Sequence, residues 1–362
     1  MNQLNVLMLG PSLEQNGGIA TLEKLIIKHE VTHTKIHHIN THDEGSISYR
    51  VIVFGKSLAI FLWKLSIQKI DVVHIHISDG GSILRKAILC AVAFIFNKPV
   101  LMHTNGAEFH VTYAKLPQRA QQILSKVFQR CQGFIVLSES WQDYYVSNLG
   151  LTPKQVIILP NPSELATQVP DRKNRTQISL VCCGRIGQRK GTFDLIEAFA
   201  NLSDNQRKCT QLVIAGDGEI EKAQQLAASL NLADQVTFLG WINSEKRDEV
   251  LSQADVFILP SYNEGLPLAI LEAMGWGLPV ISTPVGGISE LVVSNQNGLL
   301  VTPGDIQQLS EAMKLLIENE TLRLSLGSVA RKTVEPFDIK NYSIRLADIY
   351  HSLSKQNLGV SS

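Results

Sequence analysis

Two glutamates eight positions apart, Glu264 and Glu272, stand in the segment from Pro260 to Val293, PSYNEGLPLAILEAMGWGLPVISTPVGGISELVV. Carboxylates accept hydrogen bonds from hydroxyls, and this pair would span about 12 Å if the stretch between were helical throughout. Pro267 sits between them, where a first helical residue is favoured because its missing N–H would have no partner there. The amides of Leu268 and Ala269 would then be left open at the positive end of a helix dipole, a ready site for phosphate. A phosphate-sized pocket flanked by carboxylates suits a sugar joined to a nucleoside by a diphosphate. A solvated helix face is the ordinary fate of a glutamate, but this segment is apolar and punctuated by Gly and Pro, so a charge in it needs a partner.

Two cations fit the same chemistry. Gly184-Arg185 leaves a strand-like run, and Lys190-Gly191 follows at the start of a helical pattern. A diphosphate gains negative charge as the bond to its sugar breaks, so fixed cations aimed at it favour the transition state over the ground state. Each charge-assisted bond contributes about 1.5–3 kcal/mol; the alternative is a pair of solvated loop cations. Lys190→Ala is expected to lower turnover severely with little change in melting temperature, unless the neighbouring Arg189 takes over part of the role. No Asp-x-Asp occurs in the chain to hold a divalent cation. The charge falls to Arg185, Lys190 and the Leu268 terminus, and no metal or other cofactor is expected.

Other residues leave alternatives open. Gly17-Gly18 follows the first strand-like run, ahead of a helix expected from Ala20, and would allow a ligand close to the backbone or simply make a turn. Trp241, after Val236–Leu239, could flank a base or pack between domains. His103 ends a strand, while His74 and His76 alternate on another and share one face. His29, His33 and His37 are four apart, a metal-like spacing on a helix. Thr32, Thr34, Ile36 and Ile39 favour a strand there, which would break that face.

The elements that must position these groups alternate. Val6–Leu9, Val72–Ile77, Val100–His103 and Gly133–Leu137 read as strands, each followed by a helical stretch, which suggests a parallel sheet covered on both faces. Pro160-Asn161-Pro162 ends this half, and the polar stretch Gln168–Gln177 reads as an interdomain linker. The alternation restarts at Ile178–Cys183 and continues through Gln211–Ala215, Val236–Leu239, Val256–Leu259 and Val280–Ser282. A final helix runs from about Ile339 to Ser354, and the terminal GVSS is expected to fray.

Bulk properties narrow the partners. With 362 residues the chain can hold two domains, and 33 basic against 33 acidic residues leave no global field to recruit nucleic acid. Five cysteines without CxxC spacing favour a reducing cytosol over a disulfide framework. MNQLNVLMLGPS reads as a buried strand and not a signal peptide. Ala87–Phe96 is too short to span a membrane. Val51–Ile70 places Phe54, Leu58, Phe61, Leu62 and Leu65 on one helical face among Lys56, Lys64 and Lys69. It reads as an ordinary packed helix or as one resting on a membrane surface.

The glutamate block, with its flanking PS, EGLP, LEAM, G-x-P and GG, resembles the donor-site signature of retaining glycosyltransferases of family 4. The likeness extends over nearly the whole chain, through Gly17-Gly18, His103, Gly184-Arg185, Lys190-Gly191 and Gly240-Trp241. It implies a GT-B fold, two Rossmann-like domains facing across a cleft, drawn here as 1–167 with the helix at about 339–362 packing back, and 168–338. By the same resemblance Glu272 would contact the ribose, Glu264 would face the sugar ring, and backbone groups of Gly265, Leu266 and Leu268 would complete the donor pocket. His103 would point into the cleft beside the sugar, although related sequences often read H-G-x-E-F, which puts Asn105 at the histidine position. The activity implied is metal-independent transfer of a sugar, with retention, from a nucleotide diphosphate-sugar to a carbohydrate or lipid-linked acceptor in surface-polysaccharide assembly. A nucleotide-sugar 2-epimerase of the same fold and a non-catalytic nucleotide-sugar-binding subunit are the competing readings. A dinucleotide-dependent dehydrogenase is disfavoured because Gly10-Pro11-Ser12 is no G-x-G-x-x-G.

Overall fold

The computed structural model describes residues 3–358; the GVSS terminus lies outside them. The chain order is β1 (Leu4–Gly10), α1 (Gly18–Lys28), β2 (Thr34–Asn40), α2 (Ile47–Ile67), β3 (Val72–Ile77), α3 (Ser82–Ile95), β4 (Val100–Thr104), α4 (Phe109–Ala114), α5 (Gln118–Phe128), β5 (Gly133–Val136), α6 (Glu139–Leu149) and β6 (Val156–Ile158). It continues with β7 (Ile178–Cys183), a 3₁₀ turn at Gln188–Lys190, α7 (Thr192–Ala200), α8 (Asp204–Lys208), β8 (Thr210–Ala215), α9 (Ile220–Ser229), β9 (Val236–Gly240), α10 (Ser244–Gln253) and β10 (Val256–Leu259). Last come α11 (Leu268–Gly275), β11 (Val280–Ser282), α12 (Ile288–Leu291), β12 (Gly298–Leu300), α13 (Ile306–Glu318), α14 (Glu320–Val334) and α15 (Ile339–Leu358).

Two compact units result, Met1–Asn161 with Ile339–Ser362, and Pro162–Asp338. Each is built on a six-stranded parallel sheet, ordered β2-β1-β3-β4-β5-β6 in the first and β12-β11-β10-β7-β8-β9 in the second. Parallel strands covered on both faces need apolar residues at every position, and β3 and β10 are buried along their whole length. The strand order of each sheet reverses once, between β1 and β3 and between β7 and β10. Open α/β sheets bind ligands beyond the carboxyl ends of the strands at such a reversal.

The division falls at 161/162, six residues before the expected 167/168. Gln168–Gln177 is no free linker: Arg172 is buried in the second unit, its Nε donating to Ala254 O at 2.6 Å and an Nη to Leu251 O at 3.3 Å. Those carbonyls end α10, where backbone N–H groups run out: Ala254 N still reaches Leu251 O at 3.3 Å, and Arg172 serves both carbonyls. Propensity along the segment could not reveal that anchor.

α15 belongs to the first unit and packs on α1, β1 and β3. Tyr342, Leu346, Tyr350 and Leu353 are buried, the spacing of one helical stripe. Its Tyr350 hydroxyl is hydrogen-bonded to His74 Nδ1 at 2.7 Å, so a residue near the C-terminus completes a polar group on β3. Tyr350→Phe leaves that ring nitrogen unpaired in the core and is expected to cost about 1–3 kcal/mol. The midpoint of urea unfolding should fall with little change in m; an unaltered midpoint would mean the bond contributes nothing.

Candidate active site

The second unit brings together most of the residues singled out above. β7 delivers Gly184-Arg185 and, through the 3₁₀ turn, Lys190; β10, its neighbour in the sheet, delivers the loop from Pro260 to Pro267. Lys190 Nζ lies 2.5 Å from Glu264 Oε1, which also accepts from Ser261 Oγ at 2.7 Å. Arg189 Nη1 donates to Asn263 O at 3.0 Å and stands 3.9 Å from Glu264 Oε2. Glu264 is 6% exposed, so its charge is held by these partners and not by water.

Two glycines bring the segments this close. Gly191 has φ +66°, and a Cβ there would stand 2.1 Å from Pro260 O; Gly286 has φ +53°, and a Cβ there would stand 2.0 Å from Glu264 O. Any side chain at either position would combine a left-handed backbone with a backbone clash. Gly287 N donates to Gly265 O at 2.7 Å, tying the later glycine pair to the same loop.

α11 starts one residue later than expected: Pro267 is its N-cap, extended at φ −71° and ψ 126°, and Leu268 is the first helical residue. No side chain caps this end, and the amides of Leu268 and Ala269 precede any helix carbonyl that could accept from them, whereas Ile270 N donates to Pro267 O at 3.2 Å. Leu266 and Leu268 bury their side chains.

Glu272 lies one turn into α11. Arg247 of α10 reaches Glu272 Oε1 at 2.9 Å, a partner not visible in the sequence because α10 is a polar helix whose arginine has the ordinary look of a solvated one. Burial raises the Glu272 carboxyl above its ordinary 4.5, with Arg247 opposing and Asp248 adding to the rise. Arg185 is 63% exposed, 3.9 Å from Asp217. Trp241 follows the left-handed Gly240 and is 46% exposed, too open to be a core tryptophan.

The first unit keeps its expected residues in two places. Gly17, at φ +143°, is the N-cap of α1, with open space where side chains at 17 or 18 would stand; the helix begins at Gly18 and not at Ala20. His103 has its ring fully buried on β4, opposite His76 in register. Its Nδ1 is 3.2 Å from His74 Nε2, and burial pushes its pKa down to about 3, so it is a neutral core residue. Asn105, two residues on and half-buried, occupies the end of the strand instead. Its Oδ1 accepts from His76 Nδ1 at 3.0 Å, which leaves its NH₂ as a donor.

Beneath that end lies a buried cluster with no signature in residue type or spacing. Glu23 of α1 is fully buried, accepts from His38 Nε2 at 3.0 Å and stands 3.8 Å from His76 Nδ1. Lys86 of α3, also buried, donates to Leu9 O at 3.2 Å; burial lowers its pKa to about 7, with Glu23 opposing. Among the described residues, His74, His76 and His103 are the group whose ring nitrogens come close enough together to hold a metal ion. Tyr350, Asn105 and the contact between His74 and His103 already engage four of their six ring nitrogens. His29, His33 and His37 do not share one helical face, because 34–40 is strand β2.

Residues 166–333 match the family model described as Glycosyl transferases group 1. The UDP-Gal:alpha-D-GlcNAc-diphosphoundecaprenol alpha-1,3-galactosyltransferase of Escherichia coli is 28% identical over 311 residues, which cover 82% of this chain and 79% of that protein. Sucrose-phosphate synthase from Thermosynechococcus elongatus superposes with a TM-score of 0.80 at 19% identity, over 97% of this chain and 99% of that one. Anabaena Alr3699/HepE in complex with UDP-glucose gives 0.77 at 18% identity, over 97% and 100%.

The geometry alters one expectation about Lys190. Lys190→Ala should still lower turnover about 100-fold, the scale of losing one preorganised donor. It also strands a buried carboxylate, so the melting temperature should fall; Lys190→Ala/Glu264→Gln should regain stability without regaining turnover. Equal stability of the wild type and the single variant would sink this account of the pair. A second outcome concerns pH. Because folding raises the Glu272 pKa, its stabilising contribution is full below the unfolded value and is lost as pH rises through the folded one. Glu272→Gln should flatten that descent in a melting-temperature profile between pH 4 and pH 7, and superposable profiles would count against the burial effect.

Taken with the paired carboxylates and cations at the β7/β10 reversal, these matches mean that the chain is a glycosyltransferase of GT-B fold, with its group 1 match in the second unit.

Proposed function

We propose that the protein transfers a sugar from a UDP-sugar, with retention of anomeric configuration and without a divalent metal, to a carbohydrate or lipid-linked glycan acceptor during assembly of a surface polysaccharide in the cytosol. The observation that carries this reading is the convergence of Lys190, Arg185 and Arg189 with Glu264 and the uncapped start of α11 at one end of one sheet. The cations and amides would take up the charge of a diphosphate, while Glu264, held by Lys190 and Ser261, faces the sugar. Glu272, oriented by Arg247, would accept hydrogen bonds from the ribose hydroxyls. Trp241, open to solvent, would stack on the base.

The step needs no protein nucleophile. The bond between the anomeric carbon and the diphosphate oxygen breaks as the acceptor hydroxyl attacks from the face the diphosphate leaves, and the hydroxyl proton passes to the departing oxygen. Lys190 and Arg185 would stabilise the negative charge that develops there, which is where fixed charge lowers a barrier most. With three cations to share that charge and no Asp-x-Asp in the sequence, the chain's own groups suffice. Donor class and acceptor class agree with those in the printed name of the Escherichia coli relative, and five free cysteines suit a reducing compartment.

Incubating the protein with UDP-hexoses and a diphospholipid-linked sugar, then reading the product's anomeric configuration by NMR, tests the proposal. Transfer with retention that survives excess EDTA is expected. Release of an altered nucleotide sugar without any acceptor, inversion, or strict metal dependence would overturn the corresponding part.

A further inference from the structure

Above the carboxyl ends of β1 and β2 the first unit holds two guanidinium groups that no carboxylate answers. β1 lies between β2 and β3 in the sheet, and the loops after β1 and β2 are tied together. Thr41 N donates to Gly10 O at 2.7 Å, and Ser12 N to His42 O at 2.8 Å. α3 reaches over the same place, because Lys86 Nζ donates to Leu9 O at 3.2 Å and also to Thr41 Oγ1. Arg85 precedes Lys86 in the opening turn of α3 and folds back along it; a Cβ on Gly81 would stand 3.2 Å from its Nη1. Arg50 stands in the opening turn of α2, which packs on α3. A Cβ at Gly80 would meet nothing within 4 Å, so the loop before α3 borders open space.

A cation in an opening turn opposes the helix dipole, and neither α2 nor α3 has an acidic residue there to offset it. Among the described residues neither guanidinium has an ion-pair partner. Nε of Arg85 is buried without a hydrogen bond, a loss that folded proteins rarely carry without cause. The nearby carboxylates are used elsewhere. Asp43 accepts from the Tyr49 hydroxyl at 3.2 Å and from Glu44 N at 2.9 Å, and Glu44 Oε1 accepts from Gln15 Nε2 at 3.4 Å. Asp79 faces Gly106, where a Cβ would stand 2.0 Å from its Oδ1. Burial, then Arg85, Arg50 and Lys86, lower the pKa of the half-buried His42, with Asp43 opposing, so the local field is positive. The amides of Ser82 and Ile83 are taken by Asp79 O and Gly80 O, each at 3.2 Å, which leaves recognition of an anion to the side chains. Guanidinium groups meet phosphoryl oxygens with paired N–H donors.

We propose that Arg85 and Arg50 bind a phosphoryl group of the acceptor, so that the acceptor sugar is carried on a diphosphate. Its assignment to the acceptor rests on the transferase reading above, in which Lys190 and Arg185 of the second unit take the donor's diphosphate. Inorganic pyrophosphate, titrated calorimetrically onto the full-length protein saturated with UDP, tests the site without any transfer. The wild type should bind it, and Arg85→Gln/Arg50→Gln should bind it about 30-fold more weakly. UDP affinity and the unfolding midpoint of the variant should stay as in the wild type, since Arg50 is exposed and Arg85 only half-buried. In transfer assays the wild type should use a sugar on an alkyl diphosphate about 30-fold better, in kcat/KM, than the same sugar as an alkyl glycoside. The double variant should lose that preference through a raised acceptor KM. Pyrophosphate that binds only UDP-free protein would give the charge to the donor and overturn the assignment. Equal binding by variant and wild type, or equal use of both acceptors, would overturn it as well. If the arginines bind pyrophosphate but no acceptor is glycosylated, the anion site stands and the transferase reading falls.

Discussion

Lys190 and Glu264 are 74 residues apart in the chain and 2.5 Å apart in space, and the candidate site rests on that meeting. It happens because β7 and β10 are sheet neighbours although two strands and four α-helices come between them in sequence. A right-handed crossover returns the chain beside β7, so the loops after both strands emerge at one end. The ion pair then fixes a carboxylate in a place too dry to leave it alone. Neither charge could be kept there without the other, because desolvating a lone one costs several kcal/mol.

The close approach has its own steric condition. Gly191 and Gly286 each stand where a Cβ would meet a carbonyl oxygen of the glutamate loop at about 2 Å. Electrostatics and packing therefore ask for the same loop position, and Ser261, Gly287 and Arg189 add hydrogen bonds that hold it. α11 starts at the end of that loop, which aims its first-turn amides at the space the loop borders. The helix start and the carboxylate placement are thus one local construction.

The first unit uses its polar residues differently. Its histidines form a buried, neutral set on β3 and β4, closed off by Tyr350 from α15. That set links the last helix to the middle of the sheet and passes, through His76, to Asn105 at the strand's end. His103 lies near the carboxyl end of β4 with its ring buried against His74 and His76, and Asn105, two residues on, is half-buried just beyond the strand.

From residue types and spacing alone one could read the parallel α/β alternation in both halves, the glutamate block, the glycines and the two cations. Those signals are local: apolar runs set strands, Pro267 and its neighbours set a helix start, and paired glycines mark where backbones come close. What needed tertiary structure was every statement about partners. Arg247 beside Glu272, Glu23 beneath His38 and His76, and Arg172 anchoring a stretch that reads as linker all depend on which faces meet. A helical period tells that a face is apolar, but only packing tells whether neighbouring elements cover it. The physical reason is range: propensity and periodicity act over a few residues, whereas burial and pairing are decided by segments tens of residues apart.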